Sequence, residues 1–159
     1  MVRKTGKKTG KVRNVETDKV KLTFQGILYK SALEVFCAQE LVRNGLPVHY
    51  EEVSYTLQEG FTCPVVSWEA KEKKVKGEKV KTYLPVSGKV LPMKYTPDFT
   101  GPGWVVECKG MVTAEFSMRY KLLKAQLSQQ KTPPTLFMPR NREQVSLTVQ
   151  AIIQLTNNP

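Results

Sequence analysis

The sequence is poor in cysteine and histidine. Its 159 residues include three cysteines and one histidine, and Cys37, Cys63 and Cys108 show no C-x-x-C spacing. Such a set suits neither a structural zinc site nor a disulfide framework, so we expect free thiols in a reducing compartment. No apolar run approaches the ~18 residues of a membrane span and no signal-peptide pattern opens the chain, which predicts a cytoplasmic protein without a membrane partner.

Acidic residues are also scarce relative to basic ones. There are 14 Asp and Glu against 25 Lys and Arg, which gives a formal net charge of +11. Excess positive charge attracts phosphate whatever the fold, so the composition favours a polyanionic partner, of which nucleic acid is the commonest. The alternative is a lysine-rich surface that serves only solvation.

The chain length predicts one domain, over residues 19–159, behind a basic arm over residues 1–18. Residues 1–13 hold six cations and no acid. With so few apolar side chains, this arm is predicted to be disordered. The arm either lies along a phosphate backbone or only solubilises the protein. Its candidate phosphate contacts are Lys4, Lys7, Lys8, Lys11 and Arg13.

Periodicity predicts helices and strands in alternation. An apolar stripe indicates a helix over 31–44, and Gly45 ends it. Extended structure follows over 46–57, and two strands flank the turn at 101–103, the second over 104–109. A helix over 114–129 carries Arg119, Lys121 and Lys124 off its apolar stripe, as further candidate phosphate contacts. A strand over 135–139 and a helix capped by Asn141 complete an α/β or α+β domain with a mixed sheet.

A lysine-rich insertion interrupts this pattern at about residues 68–81. Lysines alternate there with Glu69, Glu72 and Glu78, and Gly77 is a candidate turn residue. The composition predicts a polar hairpin or a long loop. A solvated ribbon and a DNA contact are equally compatible with it.

The strand predicted after the 101–103 turn carries two charged residues. Residues two apart on a strand share a face, so Glu107 and Lys109 point the same way. Reversal of the chain at the turn brings Asp98 beside Glu107. Two carboxylates and an amine at one point suit a Mg²⁺ ion and a phosphodiester, because Mg²⁺ prefers oxygen ligands and offsets charge on phosphorus. The alternative is an ion pair at a strand end with Asp98 capping a turn.

Glu34 is a candidate fourth member of this site. It borders the apolar stripe of the first helix and could face the sheet. Ser31-x-x-Glu34 is also a capping-box pattern, in which the glutamate reaches back to the helix start. The spacing leaves both roles open.

Three segments, in this order, carry a family resemblance: YKSALEVFCAQEL, YEE and YTPDFTGPGWVVECKG. The chain resembles the endonuclease I Holliday-junction resolvases of short-tailed phages, within the PD-(D/E)xK nuclease superfamily. The motif itself is Pro97-Asp98 with Glu107-Cys108-Lys109. The similarity runs over about residues 30–124, with a longer insertion at about 60–92, and the C-terminal strand and helix differ from the family pattern.

The resemblance implies an α/β domain with a restriction-endonuclease-like core, in which helices flank a central mixed sheet. It implies a metal-dependent endodeoxyribonuclease with Asp98, Glu107 and Glu34 as ligands of Mg²⁺ or Mn²⁺ and Lys109 as the catalytic lysine. At the position of the family's further acid, at the start of the next strand, this sequence has His49, with Glu51 and Glu52 just after, which is a departure from the family pattern. Its members are homodimers that cut branched DNA. Another nuclease of the superfamily, or a non-catalytic basic DNA-binding protein, is the alternative.

Overall fold

The computed structural model describes residues 22–75 and 77–157. The predicted basic arm, with Lys4, Lys7, Lys8, Lys11 and Arg13, lies outside the described residues. Within them the chain is an α/β protein with three helices and mixed sheets. None of these helices is both long and apolar enough to cross a membrane.

The helices are α1 (Ala32–Arg43), α2 (Ala114–Leu127) and α3 (Arg142–Asn157). The strands before the long hairpin are β1 (Thr23–Phe24), β2 (Ile27–Leu28), β3 (His49–Tyr50) and β4 (Tyr55–Gln58). The hairpin itself is β5 (Phe61–Val75) and β6 (Glu78–Val90). The remaining strands are β7 (Met93–Tyr95), β8 (Phe99–Gly101), β9 (Trp104–Val106) and β10 (Thr135–Phe137).

A four-stranded mixed sheet forms the centre, in the order β10-β9-β8-β3. β10 runs parallel to β9, whereas β8 and β9 are antiparallel and β3 is antiparallel to β8. The parallel pair requires a crossover, and α2 supplies it. The chain beyond β9 stays extended beside β10, because the amides of Glu107 and Lys109 donate to the carbonyls of Phe137 and Pro139 at 2.9 and 3.0 Å.

Helices cover both faces of this sheet. On one face, Trp104 and Val106 pack with α1 and α3 in a core that includes Leu41 and Val149. On the other face, α2 covers the sheet through a second cluster. Its buried members are Tyr95, Phe116, Leu123 and Leu127. The alternation predicted for the strand after the turn is therefore confirmed, with its two sets of side chains entering different layers.

The β8–β9 turn is set by Pro102 and Gly103. Gly101 pairs with Trp104, which leaves a two-residue loop. Proline fixes φ at the first loop position, and Gly103 adopts a φ of +77° at the second, as in a type II turn. Gly101 lies under the indole, since an added Cβ would be 2.2 Å from Trp104 Cζ2. This tight reversal places the residues before β8 beside those after β9.

Three predicted elements differ in extent. The strand predicted over 104–109 ends at Val106, because the following residues pair only with the β10 side. The extended segment over 46–57 is two short strands, broken where Glu51 adopts a φ of +51°. The insertion predicted at about 68–81 is the middle of a longer hairpin over 61–90, with Gly77 at its turn at a φ of +89°.

Candidate functional site

A cavity of about 420 Å³ opens at the sheet edge where β8 begins and β9 ends, beside the first turn of α2. Its walls come from five parts of the chain: the start of α1, the residue after β3, the end of β7, the β8–β9 pair and α2. The charged residues in its lining are Lys30, Glu34, Glu51, Asp98, Glu107, Lys109, Glu115 and Arg119. The predicted residues Glu34, Asp98, Glu107 and Lys109 are thus brought together.

Asp98 and Glu107 face each other because of the strand register. Phe99 pairs with Val106, so the residues on either side of that pair are neighbours. Both carboxylates are buried, and Asp98 Oδ2 accepts a hydrogen bond from the Cys108 amide at 2.7 Å. Burial, then the charges of Glu107 and Glu34, raise the pKa of Asp98 to about 8. Burial also raises the pKa of Glu107.

Lys109 stands at the mouth of the cavity. Its Nζ donates to Glu107 Oε1 at 3.5 Å and lies 4.6 Å from the centroid of the Phe116 ring. The side chain remains 34% exposed, so the ammonium can meet a ligand entering from solvent. The Tyr95 hydroxyl is buried near Glu107 but outside hydrogen-bond geometry, and burial followed by the Glu107 charge raises its pKa.

Glu34 lines the cavity and also caps α1. Its Oε1 accepts from Ser31 Oγ at 2.7 Å, and its Oε2 accepts from the Tyr50 hydroxyl at 2.7 Å and from the Lys30 amide at 2.9 Å. Ser31 Oγ in turn accepts from the Glu34 amide at 3.2 Å. A carboxylate offers about four lone-pair sites, so three donors leave room for one more partner. The two roles that the sequence left open are geometrically compatible.

Glu51, not His49, is the acid that reaches the cavity from the β3 segment. The left-handed backbone at Glu51 turns the chain, and its amide donates to the Asp98 carbonyl at 3.0 Å. Its carboxylate pairs with the Lys30 ammonium. His49 is exposed and its Nδ1 lies 2.8 Å from Glu52 Oε2, away from the cavity lining.

The three candidate phosphate contacts on α2 separate in the structure. Arg119 lines the cavity, where its Nη2 donates to the Lys94 carbonyl at 2.5 Å and its guanidinium lies 5.9 Å from the Tyr95 ring. Lys121 and Lys124 are exposed on the helix outside the cavity lining. Arg119 is therefore part of the site rather than of the helix surface.

The sequence did not predict that Lys30, Glu51 and Tyr95 line the cavity. It predicted Arg119 as a phosphate contact on the helix but not its place in the cavity wall. The position of Tyr95 could have been predicted, since it ends a strand only three residues before Asp98. Arg119 follows Glu115 by one helical turn, and the two form an ion pair at 3.7 Å. Nothing in the local pattern distinguishes Glu51 from Glu52, because the difference is the backbone turn at Glu51.

As the side chains stand, no three or more His, Cys, Asp or Glu residues within 22–75 and 77–157 form a group arranged to hold a metal ion. The Glu34 carboxylate is engaged by its helix cap, although its charge still acts on Asp98 across the cavity. The pair itself is the donor set that a cation would use first.

Comparison with known proteins adds nothing to this geometry: no family model, curated protein or solved structure matches the chain. The site must therefore be interpreted from its own chemistry.

Proposed function

We propose that this protein is a Mg²⁺-dependent, structure-selective DNA endonuclease that hydrolyses phosphodiester bonds at Holliday or other branched junctions. The observation that supports it most strongly is the buried Asp98–Glu107 pair with Lys109 at its side. Burying two carboxylates against each other costs free energy, and such arrangements concentrate at functional sites.

A hard divalent cation fits this donor set. Asp98 and Glu107 would hold it through their carboxylate oxygens, and Glu34 has one lone-pair site free to join them. Burial, then the negative charges of Glu107 and Glu34, raises the pKa of Asp98, and a bound cation would offset both effects. When bound, Mg²⁺, or Mn²⁺ in its place, supplies positive charge that offsets charge building on the phosphate and makes water more acidic.

The charge balance of the cavity favours a catalytic site over a passive phosphate-binding surface. Five carboxylates and three cations line it: Glu34, Glu51, Asp98, Glu107 and Glu115 with Lys30, Lys109 and Arg119. This wall would repel a phosphate unless a divalent cation neutralised it. A non-catalytic DNA-binding protein gains nothing from such a wall, since affinity comes from uncompensated cations.

Each residue then has a distinct part. Lys109 is exposed enough to contact a phosphate oxygen and stabilise the charge that develops during hydrolysis. Its position over Phe116 restricts where the ammonium can move. Arg119 reaches the same cavity from α2 and would orient the flanking phosphate. Lys121, Lys124 and the basic arm over residues 1–18 would add backbone contacts that depend on shape rather than base sequence.

A restriction-endonuclease-like core is part of the proposal. Its support is an antiparallel β8–β9 pair flanked by both acids, which directly precede β8 and follow β9, a parallel β10 beside it, and helices on both faces. The homodimer that the resemblance implies would present two sites related by a two-fold axis, which matches the paired cuts that a four-way junction requires.

Cleavage of a labelled four-way junction, beside a linear duplex of the same sequence, tests this function. We expect junction-selective cutting in Mg²⁺ that stops in EDTA. Glu107→Gln keeps the shape of the side chain and removes a ligand, so cutting should fall by at least ~10²-fold while binding persists. Glu52→Gln removes the same charge outside the cavity and should stay within about twofold of wild type.

Each contrary outcome selects a different alternative. Equal cutting of junction and linear duplex would keep the nuclease and discard junction selectivity in favour of a nicking, restriction-type or transposon-end enzyme. Binding without cutting, in both Mg²⁺ and Mn²⁺, would leave a non-catalytic DNA-binding protein. Sedimentation velocity at micromolar concentration tests the homodimer separately, and a monomer in the presence of junction would exclude it.

A further inference from the structure

The hairpin of β5 and β6, here called the β5–β6 ribbon, stands apart from the rest of the described chain. Its two strands pair with each other over residues 61–90 and form a sheet of their own. Almost all of its residues are exposed, on both faces. Two-stranded hairpins are marginally stable alone in water, so a ribbon of this length suggests a surface that a partner covers.

An aromatic pair lies exposed on one face of the ribbon. Trp68 and Tyr83 are 59% and 65% exposed, and their ring centroids are 5.5 Å apart. The other tryptophan, Trp104, is only 1% exposed. Aromatic rings gain from being covered, and exposed apolar patches of this kind mark interaction sites.

Lysines lie on the same face of the ribbon as this aromatic pair, between the pair and the hairpin turn. Residues 61–90 contain seven lysines and three glutamates. Directly opposite residues on antiparallel strands share a face, and so do residues two apart along one strand. Trp68 is opposite Pro85 and Lys74 is opposite Lys79, so these four side chains lie on one face. Lys81 lies on the same face, two residues from each of Lys79 and Tyr83. Glu72 also lies there, but it is paired with Lys79 at 2.8 Å.

The net positive charge of the ribbon favours a polyanion as its partner. A second copy of the ribbon would bring like charges together, which costs free energy, whereas a polyanion complements them. A two-stranded ribbon also fits the major groove of B-DNA, which is about 12 Å wide. Lysines would meet phosphates, and the rings would pack on sugars or the groove floor.

We propose that the β5–β6 ribbon is a second DNA-binding surface, which lies along a double-stranded arm of the substrate within about one helical turn of the cavity. Tyr95, which lines the cavity, is twelve residues beyond Tyr83. At about 3.3 Å per residue, this segment spans at most ~40 Å, or ~12 base pairs. The inference rests on the proposed function, because it gives the same enzyme a means of reading arm length.

Tryptophan fluorescence with iodide as quencher tests this contact without any cleavage. Because Trp104 is buried, the quenchable emission belongs to Trp68, and Trp68→Phe should abolish it. In EDTA, a saturating junction with arms of ~20 base pairs should reduce the iodide quenching constant at least threefold. Arms of ~6 base pairs span only ~20 Å, about half of that maximum, and should protect Trp68 less than the long arms do.

Two ribbon variants provide an independent measurement. One joins Cys63 to Gly88 through an Asn-Gly turn, because these residues are direct partners in the hairpin. The other, Lys74→Gln with Lys81→Gln, keeps the whole ribbon. Each should weaken binding to the long-armed junction, the truncation by at least ~10-fold, and lower the salt dependence by about 0.9 per lost phosphate contact. Lys131→Gln, an exposed lysine outside the ribbon, should change neither.

The outcomes separate this inference from the proposed function. Quenching of Trp68 that is unchanged by saturating long-armed DNA, in a protein that cuts junctions, would overturn the ribbon contact and leave the nuclease standing. Protection that grows with protein concentration in the absence of DNA would overturn it in favour of a second copy. A protein that neither binds nor cuts DNA would overturn both proposals.

Discussion

Asp98→Asn removes the most strongly perturbed carboxylate of the cavity and tests its electrostatics directly. Burial and the charges of Glu107 and Glu34 raise the pKa of Asp98 from 3.8 to about 8 in the folded protein. The folded state therefore holds this proton more tightly than the unfolded chain does. That stability is fully present below the unfolded pKa and is lost as the pH rises to about 8.

The expected loss is large for a single group. A pKa change of one corresponds to about 1.4 kcal/mol, so the rise at Asp98 sets a ceiling of ~6 kcal/mol. Relaxation and water entry reduce such values in real proteins. We therefore expect the free energy of unfolding to fall by ~2–4 kcal/mol between pH 5 and pH 8 in the absence of divalent ions.

Urea unfolding in EDTA at the two pH values measures this loss. Asparagine keeps an oxygen for the Cys108 amide, which Asp98 bonds at 2.7 Å, and removes the titration. Asp98→Asn should therefore lose much less stability over the same interval and be more stable than wild type at pH 8. Glu52→Gln, an exposed carboxylate outside the cavity, should follow the wild-type profile.

Mg²⁺ should reverse the effect in wild type only. At 100 times its dissociation constant, a ligand of the folded state adds about 2.7 kcal/mol. The gain should be greatest near pH 8, where Asp98 is ionised, and should be much smaller in Asp98→Asn. Equal loss of stability in the two proteins between pH 5 and pH 8 would refute the reasoning, because the pH dependence would then arise elsewhere.

Substitutions at three further positions have definite expected outcomes. Gly101→Ala should lower the free energy of unfolding in urea by at least ~2 kcal/mol, because the added methyl meets the Trp104 ring at 2.2 Å; wild-type stability would contradict the packing. Thr113→Ala should lower it by ~1 kcal/mol by removing the cap on the Phe116 amide, and Thr113→Ser should restore it. Lys109→Gln should reduce kcat for junction cleavage at least ~10²-fold with little change in binding, and an unchanged kcat would exclude its role.

Local features followed from the sequence because they depend on residues a few positions apart. The start of α1 at Ser31 and its end before Gly45 agree with the prediction, as does the Asn141 cap, whose Oδ1 accepts from the Gln144 amide at 2.9 Å. The face alternation of β9 also agrees. The Asp98–Glu107 neighbourhood was predictable for the same reason, since a two-residue turn sets the register of a hairpin.

Features that depend on distant contacts did not follow. The entry of Arg119 into the cavity depends on how α2 packs over Tyr95. The β5–β6 ribbon forms a sheet separate from the four-stranded sheet, and its lysine content alone does not predict this. The hydrogen bond from the Tyr50 hydroxyl to Glu34 joins residues 16 positions apart, and the capping-box spacing does not encode it.

The sequence by itself therefore determined the helices, the turn and the pairing of Asp98 with Glu107, because short-range backbone geometry sets each of them. Only the tertiary structure decided that Glu51 rather than His49 completes the cavity wall. The reason is the left-handed backbone at Glu51, where the amide donates to the Asp98 carbonyl at 3.0 Å. That contact joins residues 47 positions apart, and no local pattern encodes it.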